Sequence, residues 1–253
     1  MNKRLSTGGR ELSLSKLYFN AGDVKKCQSV LEKVVSHIQQ PVLTGSLALN
    51  CHLAIRNLLV EKTSFNDLDL VVLQEAELTS SITKDFWVAH YHPGQKRGRI
   101  LLQLVEKSTL LRVDIFTTFS ASFKNRLVNV TINNTACRLI ATEDLVARLL
   151  SILGGVLQDE HIDPKYLQRF YALEPLVNEV IINDVWREYR KGYMPHDYFE
   201  ASILIQKNLR EHPERLKEPT YNQNIYELCT SCQVSEEFPL VPRDKLFEML
   251  GYV

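Results

Sequence analysis

The sequence predicts an α/β (α+β) fold: a mixed β-sheet flanked by helices over residues 1–140, then a helical domain over 141–253. Three observations predict it. Helical and extended patterns alternate as far as Ile140, and an acidic strand with a strongly apolar remainder lies at the middle of that half. Beyond Ile140 only helical patterns recur.

Residues 1–20 lack a clear period and read as an arm. Over 23–39 the apolar residues Val24, Cys27, Val30, Leu31, Val34, Val35 and Ile38 recur at spacings of three and four, one face of an amphipathic helix that Pro41 stops. Val42-Leu43 reads as a short strand entering Thr44-Gly45-Ser46, and 47–59, without Gly or Pro, as the helix after that turn. Residues 67–73 form a strand by length and β-branched content. A short helix over 75–85 and a strand over 86–92 follow, then a basic turn at Pro93-Gly94 and Lys96-Arg97-Gly98. Residues 99–106 and 110–117 pair through Lys107-Ser108-Thr109, and 127–132 with 137–140 make a hairpin around Asn133-Asn134.

In the second half, Thr142 reads as a helix cap with Glu143 and Asp144 in the first turn, and the helix runs to Gly154-Gly155. Asp163-Pro164 opens the next, with Asp as cap and Pro at the first helical position. Further helices cover 178–191, begin at Asp197, and end the chain over 243–250 before Gly251.

Composition excludes more than it selects. The 253 residues are 45% hydrophobic and 24% charged with zero formal net charge, so no global field favours nucleic acid or a membrane surface. No apolar run approaches a membrane span, and polar, basic residues 1–9 lead into no apolar signal segment. Scattered cysteines at 27, 51, 137, 229 and 232 suit reduced thiols, hence a cytoplasmic protein in which the sequons at Asn129 and Asn133 go unused.

The chemistry gathers on two strands. Alternation puts Asp67 and Asp69 on one face while Leu68, Leu70 and Val72 face the core; on the later strand Arg112 and Asp114 oppose Val113 and Ile115. Close carboxylates repel, and a divalent cation with hard oxygen ligands removes that penalty. If the strands are neighbours, three acids can clamp two metals in phosphoryl chemistry. Gly45-Ser46 stands where a strand meets a helix, a place where backbone N–H groups and a hydroxyl attract phosphate. Arg112 fits a phosphate ligand or a salt bridge to a neighbouring acid equally well.

This ordered set, Gly45, Ser46, Asp67, Asp69 and Asp114, resembles the nucleotidyltransferase superfamily related to DNA polymerase β. Within it, Thr44–Leu49 and Asn66–Val72 look most like the AbiEii-type and related prokaryotic members. The resemblance spans 42–117 and implies the nucleotidyltransferase fold, with residues 1–140 catalytic and the helical domain walling an acceptor cleft. It implies that Asp67, Asp69 and Asp114 bind two Mg²⁺ (or Mn²⁺) ions, with Asp114 also the base, while Gly45 and Ser46 grip the NTP phosphates. The implied reaction moves an NMP from NTP to an acceptor hydroxyl of RNA, protein or a small molecule, releasing pyrophosphate. Where toxin-like members carry Arg four residues before the first Asp, this chain has Thr63, with Lys62 as the substitute nucleotide contact; Arg148 stands nearest to their usual Lys. A non-catalytic binding protein of the same fold, such as a toxin–antitoxin or regulatory component with a cognate partner, is the competing reading. An unrelated metal-dependent phosphohydrolase is disfavoured because no His-rich ligand set accompanies the acids.

Other features read more plainly. Cys229-Thr-Ser-Cys232 has the spacing of half a zinc site, but no Cys or His follows and the nearest earlier His is His212, so structural thiols are expected. His90 and His92 alternate on a strand and are expected to face solvent. The aromatic and basic run Trp186–Lys191 is expected to bury its aromatics in a helical core rather than stack bases.

Overall fold

The computed structural model describes residues 10–17, 20–38, 41–58, 65–218 and 231–251. The chain divides into two compact units, Met1–Thr118 with Lys124–Ile140 and Cys229–Val253, and Phe119–Phe123 with Ala141–Leu228. A change of character at Ile140 was expected; the first unit also takes back the C-terminal segment that the division at residue 141 assigned to the helical domain.

The first unit is built on an eight-stranded mixed sheet. Its strands are β1 (Arg10–Leu12), β2 (Val42–Leu43), β3 (Asp67–Val72), β4 (Phe86–Tyr91), β5 (Ile100–Glu106), β6 (Arg112–Thr117), β7 (Val128–Ile132) and β8 (Thr135–Leu139), in the order β1-β7-β8-β2-β3-β6-β5-β4. β3 runs parallel to β6 and antiparallel to β2. Residues 10–17 are no loose arm: β1 pairs with β7, and Leu14 and Leu17 of α1 (Leu14–Leu17) are fully buried. The hairpin β7–β8 turns on Asn133 and Asn134, both at positive φ, the pair of left-handed residues that a tight two-residue connection needs.

Helix α2 (Ala21–His37) buries Cys27, Val30, Leu31 and Val34, as the spacing predicts, and starts two residues early because the Asn20 side chain caps it. Helix α3 (Gly45–Ile55) follows β2 and ends short of the expected 59, where Asn57 adopts a positive φ. It also carries His52, 2% exposed, whose Nε2 lies 2.7 Å from the Ile140 carbonyl. Burial pushes that imidazole down to about 4, so it stays neutral in the fold. The helix expected over 75–85 is two short 3₁₀ turns, Glu75–Glu77 and Ser80–Lys84.

One buried acid went unnoticed in the sequence. Glu106 has no exposed surface, yet it ends β5 beside the Lys107-Ser108-Thr109 turn. It accepts from the Ser108 and Thr109 backbone and hydroxyls and pairs with Lys33 of α2. Burial alone would raise its carboxyl; the Lys33 ammonium and the turn donors outweigh burial and bring it down to about 2. Because the folded value lies below the ordinary 4.5, this stabilisation is complete above pH 4.5 and is lost as pH falls toward about 2. Glu106→Ala is expected to cost about 2–3 kcal/mol, the half-exposed lysine limiting the loss. Urea unfolding at neutral pH measures it, and the mutant deficit should shrink in acid.

The second unit holds α4 (Thr142–Leu153), α5 (Pro164–Leu173), α6 (Ile182–Tyr189) and α7 (Tyr198–Glu211). Thr142 is not the cap of α4: that position is Ala141, without a side-chain bond. Glu143 instead accepts from the Asn178 backbone, and Asp144, fully buried, accepts from the Tyr189 hydroxyl. Asp163 and Asp197 do cap α5 and α7. α6 is shorter than the expected 178–191; Trp186 is a core residue as expected and Val185 is buried with it, whereas Val180, before the helix, is 84% exposed. Trp186 donates from Nε1 to the Pro195 carbonyl. Arg148 stacks 3.9 Å from the Phe119 ring centroid, which engages it within this unit. Helix α8 (Arg243–Leu250) belongs to the first unit and ends on Gly251 at positive φ.

Candidate metal and phosphate site

Strand register decides which acids meet. Across the parallel pair β3–β6, Asp67 stands opposite Arg112 and Asp69 opposite Asp114. Register partners share a face, so all four side chains rise on one side of the sheet while Leu68, Leu70, Val113 and Ile115, all fully buried, fill the other. The alternation read in the sequence therefore places the expected residues together on adjacent strands.

Arg112 supplies a charge to both sides of that group. Its guanidinium donates to Asp67 Oδ2 at 2.9 Å and lies 3.3 Å from Asp114 Oδ2. Of the two roles weighed for it, the salt bridge is the one seen. Among the described residues the three carboxylates do not form one tight cluster, and Arg112 reaches both Asp67 and Asp114.

Asp114 is the most enclosed of the acids, 5% exposed, and accepts a 2.8 Å bond from Gln103 Nε2 on β5. Burial pushes its carboxyl above the ordinary value; Arg112 and Gln103 pull the other way without cancelling that effect, and Asp67 adds to it. Gln103 was missed in the sequence, although a lone polar residue inside Leu101-Leu102-Gln103-Leu104-Val105 was the signal for it.

The glycine turn closes on the same acid. Thr44 N–H donates to the Asp69 carbonyl at 3.0 Å, so β2 delivers the turn directly against β3. Gly45 has φ of +62°, and a Cβ there would sit 1.9 Å from Asp69 Oδ2. Only glycine allows this approach. Ser46 follows in the first turn of α3, half-buried, and Thr44 Oγ1 is buried with no hydrogen-bond partner among the described residues. Lys62 and Thr63 lie outside the described residues.

The residues fit a divalent cation on three counts: the ligand set is all carboxylate, burial disfavours the charge on Asp114, and the missing side chain at Gly45 leaves Asp69 accessible from the helix start. Nothing in the group suits a soft metal.

A second constellation lies on the same sheet face. His90 of β4 is the register partner of Gln103, which in turn faces Asp114 on β6. His90 and His92 do not simply face solvent: their rings stack, and Cys232 Sγ lies against both.

No family model matches the chain, and no curated protein matches it. Among solved structures, the Megavirus polyadenylate synthase is similar at 14% identity with a TM-score of 0.43, covering 62% of this chain and 32% of that one. The matched part thus spans only about a third of the viral chain's length. An antigenic nucleotidyltransferase-like protein from Paracoccidioides brasiliensis is similar at 12% identity with a TM-score of 0.40, covering 77% of this chain and 90% of that one. No helix among the described residues is long and apolar enough to cross a membrane.

Proposed function

We propose that this chain is a divalent-metal-dependent nucleotidyltransferase, and that the observation carrying the proposal is the register that sets Asp69 beside Asp114, with Gly45 pressed on Asp69. Asp67, Asp69 and Asp114 would hold Mg²⁺ or Mn²⁺, which would neutralise charge on the triphosphate and on the leaving pyrophosphate. The start of α3, with Gly45 and Ser46, lies where β- and γ-phosphates can accept backbone N–H groups. The acceptor hydroxyl oxygen bonds to the α-phosphorus, the bridging α–β P–O bond breaks, and pyrophosphate leaves with that electron pair. Asp114, with its raised carboxyl and its position beside Asp69, is the chain's own group for the acceptor proton. In a loaded site Arg112 would exchange Asp67 and Asp114, its present partners, for phosphate oxygens of the nucleotide. NTP is the donor, and RNA, protein and small-molecule hydroxyls are the acceptor classes to test.

One observation favours a second reading. Arg112 already neutralises Asp67 and Asp114, as it would in a binding protein that keeps the fold without turnover. The AbiEii-like segments 44–49 and 66–72 would then mark a toxin–antitoxin or regulatory component. Incubation with α-labelled NTPs, Mg²⁺ and total RNA, protein or aminoglycosides separates the two. Transfer that Asp67→Ala abolishes supports the enzyme. Transfer unaffected by Asp67→Ala, or none with any acceptor class, rejects it.

A further inference from the structure

The geometry points to a zinc site formed by His90, His92 and Cys232, independent of the nucleotidyl-transfer reading. These residues come from segments far apart in the chain, and their ligand atoms all lie within 4.8 Å of one another. Cys232 Sγ is 3.0 Å from His90 Nδ1 and 3.7 Å from His92 Nε2. Zinc bound tetrahedrally, with Zn–S ~2.3 Å and Zn–N ~2.0–2.1 Å, sets sulfur and nitrogen ligands about 3.5 Å apart. The two observed distances bracket that value.

Backbone structure holds the three in place. His90 and His92 alternate along β4 and its continuation, so both rise on one face. A β-bulge between Val88 and His90 re-aims the strand just where the first histidine stands. The C-terminal segment is tied along the same edge: Gln233 N–H donates to Tyr91 O at 3.0 Å, and Val241 N–H to Val88 O at 2.9 Å. Phe238, 3% exposed, packs 5.0 Å from the Tyr91 ring. Cys232 therefore sits one residue from a hydrogen-bonded anchor, and its approach to the histidines is a built feature of the sheet edge.

Imidazole and thiolate together select zinc over the hard cations that suit the aspartates. On binding, the Cys232 S–H proton passes to solvent, sulfur donates the freed electron pair to Zn²⁺, and each histidine donates a ring-nitrogen lone pair while neutral. The metal would pin the segment that covers edge strand β4, closing backbone groups otherwise open to intermolecular pairing. Cys229 stands at the two-residue separation of zinc-binding cysteine pairs and lies outside the described residues; the site rests on the three that are placed.

The test uses the full chain purified without a polyhistidine tag and equilibrated with zinc, then freed of loose metal. Elemental analysis should find one zinc per chain, and zinc-edge X-ray absorption should show a mixed nitrogen and sulfur shell. Cys232 should resist a thiol reagent until a chelator is added, a readout that requires no variant to fold. Cys232→Ser and His92→Ala should lose the metal, while the double variant Asp67→Asn, Asp69→Asn should retain it. Zinc absent from the folded wild type, a shell of oxygen and nitrogen only, equal Cys232 labelling with and without chelator, or zinc lost from the aspartate variant would each overturn the site.

Discussion

Asp114→Asn is expected to lower nucleotidyl transfer roughly 10³-fold while leaving the folded protein as stable as the wild type, or more so, in metal-free buffer. The two effects have one cause. Asp114 is 5% exposed and its burial disfavours the charged form, so the apo fold bears that charge at a cost. Asparagine preserves shape, and its carbonyl oxygen can still accept from Gln103 Nε2, whose present bond is 2.8 Å. Arg112 keeps Asp67 as its partner at 2.9 Å. On the proposed function, what would disappear is a metal ligand and the group that takes the acceptor proton. A structural acid would behave in the opposite way, as Glu106 should: lost stability, with activity following only as far as the fold is lost. Thermal denaturation with and without Mg²⁺, read beside label transfer, separates these cases. An Asp114→Asn protein that transfers label at the wild-type rate would remove Asp114 from the site.

Gly45→Ala is expected to be nearly as damaging, through a single methyl group. Its Cβ would lie 1.9 Å from Asp69 Oδ2 and 2.7 Å from Cγ, closer than any real contact, so the carboxylate must swing away or β2 and β3 must separate. The backbone adds strain of about 1–2 kcal/mol, because φ is +62° and a side chain at that angle meets its own carbonyl. Phosphate grip and metal binding should therefore fall together, with transfer down by two orders of magnitude or roughly more. A serine at the same position should be no better. Retention of wild-type activity would mean that the turn and Asp69 do not cooperate in the reaction. Gly94 is a useful contrast: it also has positive φ, but a Cβ there meets nothing, so Gly94→Ala should cost only the backbone strain.

Why was so much of this site legible in the residues alone? Period-two alternation is a local property. It put Asp67 with Asp69 on one face of their strand and Arg112 with Asp114 on one face of theirs, and the register of β3 against β6 then brought the two faces together. The Gly45 turn was equally local, although only the three-dimensional arrangement shows that its partner is Asp69. Asp163 was readable as a cap, and Asp197 as a helix start, because helix starts are decided within one turn.

What escaped was set by contacts distant in sequence. The nearest histidine in sequence to Cys229 and Cys232 is His212, whereas β4 presents His90 and His92, from more than a hundred residues earlier, to Cys232. The C-terminal segment, which local pattern joins to the helical domain, groups with the first unit for the same reason: Gln233 and Val241 bind the edge of the sheet. Glu106 reads as an ordinary charge at a strand end; only Lys33 from α2 and the following turn make it a buried anchor. The residues before Leu17 showed no period because β1 is three residues long and α1 four, too short to repeat one.

On the proposed function, Asp67, Asp69 and Asp114 serve to hold divalent cations rather than to pair with Arg112. A crystal structure with Mn²⁺ and a non-hydrolysable NTP analogue, with manganese located by anomalous scattering, tests it most directly. Manganese is expected between the Asp69 and Asp114 carboxylates with Asp67 as a further ligand, with triphosphate oxygens at the Gly45-Ser46 turn and the Arg112 guanidinium moved off the acids. Nucleotide bound elsewhere, or no manganese on the acids with Arg112 still bridging Asp67 and Asp114, would contradict it.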